Sequence, residues 1–82
     1  MRKRNMSLGR MVRDCERFNE MHKIGGTIRV WPRTNEEPAI DVRIVMPGAY
    51  VLSGHTAVVQ VDGGHGCIAL TNVDGWMEVP DV

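Results

Sequence analysis

The sequence predicts an α+β domain that is mainly β: one N-terminal amphipathic helix followed by a five- or six-stranded antiparallel barrel or rolled sheet. Two observations predict this fold class. From residue 8 to residue 22, apolar residues recur with the period of a helix; after Gly26 they recur in short segments with a period of two. The 82 residues are enough for one domain. We expect residues 1–6 to be a mobile basic tail, residues 7–24 to hold the helix and residues 26–80 to form the barrel.

The helix is predicted by its apolar spacing and by signals at both of its ends. Six apolar residues fall on one face when successive residues turn by about 100°. Ser7 has the side chain of an N-cap, and Gly25 and Gly26 are residues that end helices. His22 lies at the end of the apolar face, where we expect a hydrogen-bonded histidine at the edge of the core. The six apolar residues are Leu8, Met11, Val12, Cys15, Phe18 and Met21.

The opposite face of the helix is charged. Its three arginines form a stripe about 60° wide. Each arginine lies three or four residues before an acid, a spacing that predicts ion pairs contributing about 0.2–0.5 kcal/mol each. The predicted pairs are Arg10–Asp14, Arg13–Glu16 and Arg17–Glu20.

Six short segments that alternate in polarity or are rich in β-branched residues predict the strands. Proline, glycine, aspartate and serine separate them and indicate tight turns. A single helix would cover one open end or edge of such a barrel. The predicted strands are residues 27–31, 40–46, 49–52, 56–61, 66–70 and 76–79.

The end of the chain resembles the closing part of an SH3-type barrel. Residues 66–79 read GCIALTNVDGWMEV, in which a strand ending in small apolar residues precedes a segment suited to one 3₁₀ turn and a short last strand. In that architecture residues 56–70 are the distal hairpin and residues 32–38 the first long loop. The resemblance covers roughly the last two thirds of the chain and implies an SH3-like barrel shape. It does not extend to proline-rich ligands, because their groove is lined with aromatic residues and this chain has four in all.

The ten basic and ten acidic residues cancel, but they are unevenly placed. Residues 1–43 hold all ten basic residues and six acids, a balance of +4, whereas residues 44–82 hold four acids and no lysine or arginine. Zero net charge argues against a uniformly basic nucleic-acid coat, although the separation can steer a charged partner. No apolar run approaches the roughly 20 residues that span a bilayer, and no apolar segment follows the basic start. We therefore expect a cytoplasmic protein without a membrane partner.

Candidate catalytic and metal-binding residues are few. Cys15 and Cys67 are expected to be reduced, buried and small hydrophobes. Ser53 and Cys67 each lie near a histidine, but a triad needs a third group and no carboxylate is predicted to be buried. His55, His65 and Cys67 could supply three zinc ligands if adjacent turns meet, yet their spacing matches no zinc motif. We expect no catalytic residue, no metal and no cofactor.

The predicted partner-binding surface combines arginine and tryptophan. Arg29 and Trp31 share the outward face of the first strand, and Trp76 has outward parity if Met77 and Val79 face inward. Two outward tryptophans indicate either a contact surface or helix packing on that face. Arginine beside tryptophan is typical of protein interfaces and of barrels that bind single strands. The predicted surface consists of Arg10, Arg13, Arg17, Arg29, Trp31, Arg33 and Trp76.

Three functions follow from these features. The first, which we expect, is a small non-enzymatic protein that docks on a larger protein, by analogy in size an inhibitor or adaptor of host machinery from a phage or mobile element. The alternative is a small barrel that binds nucleic acid, with arginines on phosphates and Trp31 on a base. The third is a small enzyme assembled across an oligomer interface. A homodimer is compatible with each, since a chain of this size has a small core.

Overall fold

The structure, a computed structural model, describes residues 8–32 and 38–76. It consists of one helix and a curled antiparallel sheet of four strands in the order β1-β2-β3-β4. The α+β, mainly β class is therefore confirmed. The elements are α1 Leu8–Met21, β1 Thr27–Val30, β2 Ile40–Leu52, β3 Thr56–Val61, β4 Cys67–Ala69 and a 3₁₀ helix Leu70–Asn72.

The described chain has four strands rather than the predicted five or six, because β2 is one strand where the sequence predicts two. Ile44 pairs with Val61 but Ala49 pairs with Val59, so the register shifts between them. Gly48, with φ +82°, bends the strand there instead of ending it. The first part of β2 pairs with β1 and the second part with β3. The predicted strand 76–79 lies outside the described residues except for its first residue.

The segment after β4 contains the single 3₁₀ turn that the sequence predicts there. β4 runs into the 3₁₀ helix, and Val73 then forms an antiparallel bridge with Val30. The Trp31 backbone N–H donates to the Asn72 carbonyl at 2.9 Å, and the Asp74 N–H donates to the Arg29 carbonyl at 2.8 Å. The sheet thus curls until the end of the described chain meets the outer edge of β1.

The helix packs on β2 and β3 through a narrower face than its apolar spacing predicts. Met11, Cys15 and Phe18 are buried, whereas Leu8 and Val12 are exposed. The core that Cys15 and Phe18 join is built from alternate residues of each strand, as a sheet with one buried face requires. The buried strand and turn residues of this core are Ile28, Val30, Val42, Ile44, Ala49, Val59, Val61, Ile68, Leu70 and Val73.

Among the described residues, no helix has the length and apolar character of a membrane-spanning segment.

One helix side chain holds the bend of β2 in place. Asn19 Oδ1 accepts the Ala49 N–H at 2.9 Å, and Asn19 Nδ2 donates to the Ala49 carbonyl at 3.1 Å. The amide of Asn19 therefore takes the place of a neighbouring strand for one residue. Gly48 lies directly beside it, and a Cβ added there would stand 2.7 Å from Asn19 Oδ1. Only glycine fits both the positive φ and this close approach.

His22 is half-buried with its ring 4.6 Å from that of Phe18, which agrees with its predicted place at the edge of the core. Asp14 is only 1% exposed, although the sequence places it on the charged face. At 100° per residue it sits at the margin of the buried arc, about 40° beyond Phe18. The predicted cap Ser7 and the basic tail 1–6 lie outside the described residues.

Candidate functional site

The outer side of α1 carries cations that its own acids do not neutralise. Arg13 and Arg17 are exposed, and within residues 8–32 and 38–76 neither forms an ion pair. The predicted pairs with Glu16 and Glu20 are therefore not formed, since exposed pairs gain little against the side-chain entropy they cost. Arg10 is half-buried and interacts within the protein.

An exposed apolar patch continues from these arginines. Arg13, Arg17 and Met21 follow each other at four-residue spacing, which places them in one row along the helix. Met21 is 59% exposed and Ile24, just beyond the helix, is 51% exposed. Large apolar side chains clustered on a surface indicate a contact site more often than single ones do.

The bend of β2 also carries exposed apolar side chains. Met46 is 73% exposed and Pro47 is exposed beside it. Ile24 and Pro47 both line a groove of about 300 Å³. The groove is lined by Asn19, His22, Lys23, Ile24 and Pro47. We call the row and the groove together the docking surface, defined by Arg13, Arg17, Met21, Ile24, Met46 and Pro47.

The sheet residues of the predicted surface are placed elsewhere. Arg29 lies on the outer face of β1, where its Nε is 3.2 Å from Asp41 Oδ1, and both side chains are 59% exposed. Trp31 is half-buried, and Asn72 Nδ2 donates to its carbonyl at 3.0 Å. Because α1 packs against the inner face of the sheet, Arg29 and the helix arginines point to different sides. Arg33 lies outside the described residues.

Trp76 packs against the core instead of facing outward. Its ring meets the Phe18 ring edge-on, with centroids 5.3 Å apart and planes at 65°. The alternation of residues along a strand predicts that Trp76 faces outward. Instead, Trp76 follows the turn after the Val73 bridge, and its ring packs under the helix. The sequence leaves two explanations for the tryptophans, a contact surface or helix packing, and the position of Trp76 fits helix packing. The indole Nε1 is buried and has no hydrogen-bond partner among the described residues.

A smaller cavity lies at the other end of the helix, between α1, the β2–β3 turn and the 3₁₀ helix. Its volume is about 130 Å³. Asp14 and Trp76 form part of its wall, and His55 stands exposed at its rim. The sequence predicts no buried carboxylate, and this prediction is wrong because Asp14 is 1% exposed. The remaining lining residues are Met11, Thr56, Ala57, Ala69, Leu70 and Thr71.

The candidate zinc ligands are not brought together. His55 precedes β3 and His65 follows it, and a strand of 6 residues separates them by about 20 Å. No group of three His, Cys, Asp or Glu residues in the described ranges could hold a metal ion. Ser53 does not line the cavity that contains His55 and Asp14.

The two cysteines differ in their surroundings. Cys15 is buried, and burial followed by the charges of Asp14 and Glu16 raises the pKa of its thiol. Cys67 is half-buried, not buried as expected. It lies beside Tyr50, whose hydroxyl donates to Gln60 Oε1 at 2.9 Å. Burial and the neighbouring Cys67 raise the pKa of Tyr50.

Sequence reasoning missed the docking groove and the cavity for one reason: each is assembled from segments far apart in the chain. The only sequence signal for the groove is the apolar run Met46–Pro47 next to a glycine, and this reads equally well as a turn. No protein-family model, curated protein or solved structure matches this chain.

Proposed function

We propose that the protein is a non-enzymatic binding module with an SH3-like arrangement of strands, which docks on a larger protein through the docking surface. The observation that carries this proposal is the row of unpaired Arg13 and Arg17 that leads into the exposed Met21, Ile24 and Met46. Arginine and methionine are enriched at protein interfaces.

The charge and shape of this surface define the partner's chemistry. Two exposed arginines call for carboxylates opposite them, because charged groups across an interface are arranged to complement each other. The groove beside Ile24 and Pro47 has room for one large apolar side chain. The partner therefore presents acidic residues next to an apolar anchor. A role as an inhibitor or adaptor of host machinery belongs to this proposal by analogy in size.

Nucleic acid is the alternative partner, and the placement of Arg29 counts against it. Its guanidinium is engaged by Asp41, whose carboxylate would also repel a phosphate. Trp31 and the helix arginines do not share one face, so a nucleic-acid strand bound by the arginines would not reach the Trp31 indole.

The test begins with capture of partners from the native host, identification of the captured protein and measurement of its affinity for purified variants. We expect Arg13→Gln/Arg17→Gln to weaken binding and flatten its salt dependence, and Met46→Ser to weaken binding through faster dissociation. Arg43→Gln is the matched control, since Arg43 is also exposed but lies on the outer face of β2. Equal affinity of all three variants would place the interface elsewhere. Capture of nothing above background, together with salt-sensitive shifts of labelled DNA or RNA, would favour the nucleic-acid alternative.

A further inference from the structure

We propose that the outer edge of β4 pairs with the same edge of a second copy of this chain and so joins two sheets into one. The inference does not rest on the docking surface, because β4 contains none of its residues. In the described sheet β4 is a terminal strand, with β3 on one side of it only.

The backbone of β4 directs hydrogen-bonding groups at this edge. Gln60 lies opposite Cys67, and Val58 lies opposite Ala69. The Val61 N–H donates to the Gly66 carbonyl at 2.8 Å, beside the first of these pairs, which is the pattern of a pair whose own groups point away from each other. The N–H groups of Cys67 and Ala69 therefore face outward, and within residues 8–32 and 38–76 neither donates a hydrogen bond.

The edge lacks the features that keep exposed strands from pairing with other chains. Natural edges are blocked by lysine or other charges, by proline or by bulges. Residues 66–71 contain no Lys, Arg, Asp, Glu or Pro, and β4 pairs with β3 in a regular register. An open edge without these features is a template for another strand.

Charge makes a second copy a fitting occupant of this edge. An uncharged edge suits an uncharged strand, and β4 is itself such a strand. The formal net charge of the chain is zero, so no long-range repulsion opposes contact between copies. Asp62, before β4, is hydrogen-bonded to the backbone of Arg43. Asp74, after it, is hydrogen-bonded to the backbone of Arg29, so each acid lies beside an arginine.

Two-fold symmetry determines how the edges meet. Identical edges pair antiparallel when the contact closes at two copies. With Cys67 of each copy opposite Ala69 of the other, every edge-facing residue is used, and each pair exchanges N–H···O=C bonds in both directions. Because β4 has only 3 residues, the contact is smaller than the standard interface of about 800 Å² per partner, and we expect a weak dimer.

Hydrogen exchange at two protein concentrations tests the edge directly. In dilute 15N-labelled protein the Cys67 and Ala69 amides should exchange rapidly, and at about 1 mM their exchange should slow at least about threefold by mass action. The Val61 amide, bonded to Gly66 in monomer and dimer alike, is the control. Rapid exchange at both concentrations would refute the pairing. Slow exchange at both would show that the chain covers its own edge, which also refutes it.

A proline at position 69 removes one edge donor without breaking a bond of the monomer. Ala69 has φ −60° and ψ 141°, the geometry of proline, and it follows an extended residue, as proline requires. Ala69→Pro should sediment as a monomer where the unaltered chain and Ala69→Ser, which keeps the N–H, form dimers. If Ala69→Pro does not fold, Cys67→Lys should have the same effect by placing a charge on each edge. Equal dimerisation of the edge variant and Ala69→Ser would overturn the proposal.

Crosslinking tests the register. In the proposed pairing the two Cys67 residues are diagonal neighbours about 7–8 Å apart, within reach of a short bis-maleimide. Cys15 is buried, so it does not compete for the reagent in the folded protein. Crosslinked dimer should form in the unaltered chain and fall in Ala69→Pro to the level found in dilute solution. Undiminished crosslinking of Ala69→Pro would place the contact elsewhere and refute the pairing.

Discussion

Replacement of Gly48 by alanine tests whether Asn19 holds the bend of β2. The added Cβ would stand 2.7 Å from Asn19 Oδ1, so the amide must move away. Movement breaks its two hydrogen bonds to Ala49, at a net cost of about 1 kcal/mol each. The positive φ of +82° adds about 1 kcal/mol for any residue with a Cβ. We therefore expect Gly48→Ala to lower the free energy of unfolding by about 3 kcal/mol.

The matched control is Gly64→Ala. Gly64 has the same φ of +82°, but a Cβ there would meet nothing within 4 Å. This variant should lose only the backbone contribution of about 1 kcal/mol. The difference between the two glycine variants isolates the contact with Asn19 from the strain of the backbone.

The decisive comparison is made in an Asn19→Ala background. Asn19→Ala alone removes both bonds to Ala49 and should cost about 2 kcal/mol. Once the amide is gone, the alanine at position 48 has nothing to displace, so Gly48→Ala should then cost only about 1 kcal/mol. Urea unfolding followed by tryptophan fluorescence gives all four free energies. If Gly48→Ala costs the same with and without Asn19, the reasoning about the bend is wrong.

Three further predictions concern titratable groups. Burial raises the pKa of the Cys15 thiol, so Ellman's reagent should react with Cys67 in the folded protein and with Cys15 only after unfolding; equal rates for both would contradict this. Tyr50 is the only tyrosine, and since its pKa is raised by burial and by Cys67, its ultraviolet titration should lie above that of free tyrosine and move down in Cys67→Ser. The stability that Tyr50 contributes should be present below the ordinary tyrosine pKa and be lost as the pH rises through the raised value, a loss that Tyr50→Phe should remove. Arg29→Ala should change the free energy of unfolding by less than about 0.5 kcal/mol, because Arg29 and Asp41 are both exposed; a larger loss would show that this pair supports the fold.

The helix and the β2–β3 hairpin could be predicted because their signals are local. Apolar spacing and the two glycines predict a helix within residues 7–24, and the observed helix, Leu8–Met21, ends three residues before the predicted end. The strand predicted at residues 56–61 is observed with the same bounds. The turn before it contains Ser53 and Gly54, both with positive φ, as a tight hairpin turn requires.

The continuity of β2 could not be predicted because it depends on a residue far away in the chain. Pro47 and Gly48 are ordinary turn residues, and nothing adjacent says whether the chain reverses or only bends. The outcome depends on Asn19, 30 positions before Ala49, whose amide satisfies the backbone groups that the bend exposes. A buried backbone N–H without such a partner would be costly, so the Asn19 amide stabilises a bend that the local sequence does not specify.

The positions of the groove and the cavity also depend on contacts between distant segments of the chain. These positions determine how experiments on the docking surface must be interpreted. The groove and the cavity lie near opposite ends of α1, and their nearest helix residues, Asp14 and Asn19, are about 7.5 Å apart along the helix axis. Phe18 lies between them, with His22 of the groove and Trp76 of the cavity both against its ring. A change at Phe18 would therefore disturb both sites together and could not distinguish one binding region from two. Substitutions that test the docking surface must leave Phe18 unchanged and alter side chains exposed to solvent, as Arg13→Gln/Arg17→Gln and Met46→Ser do.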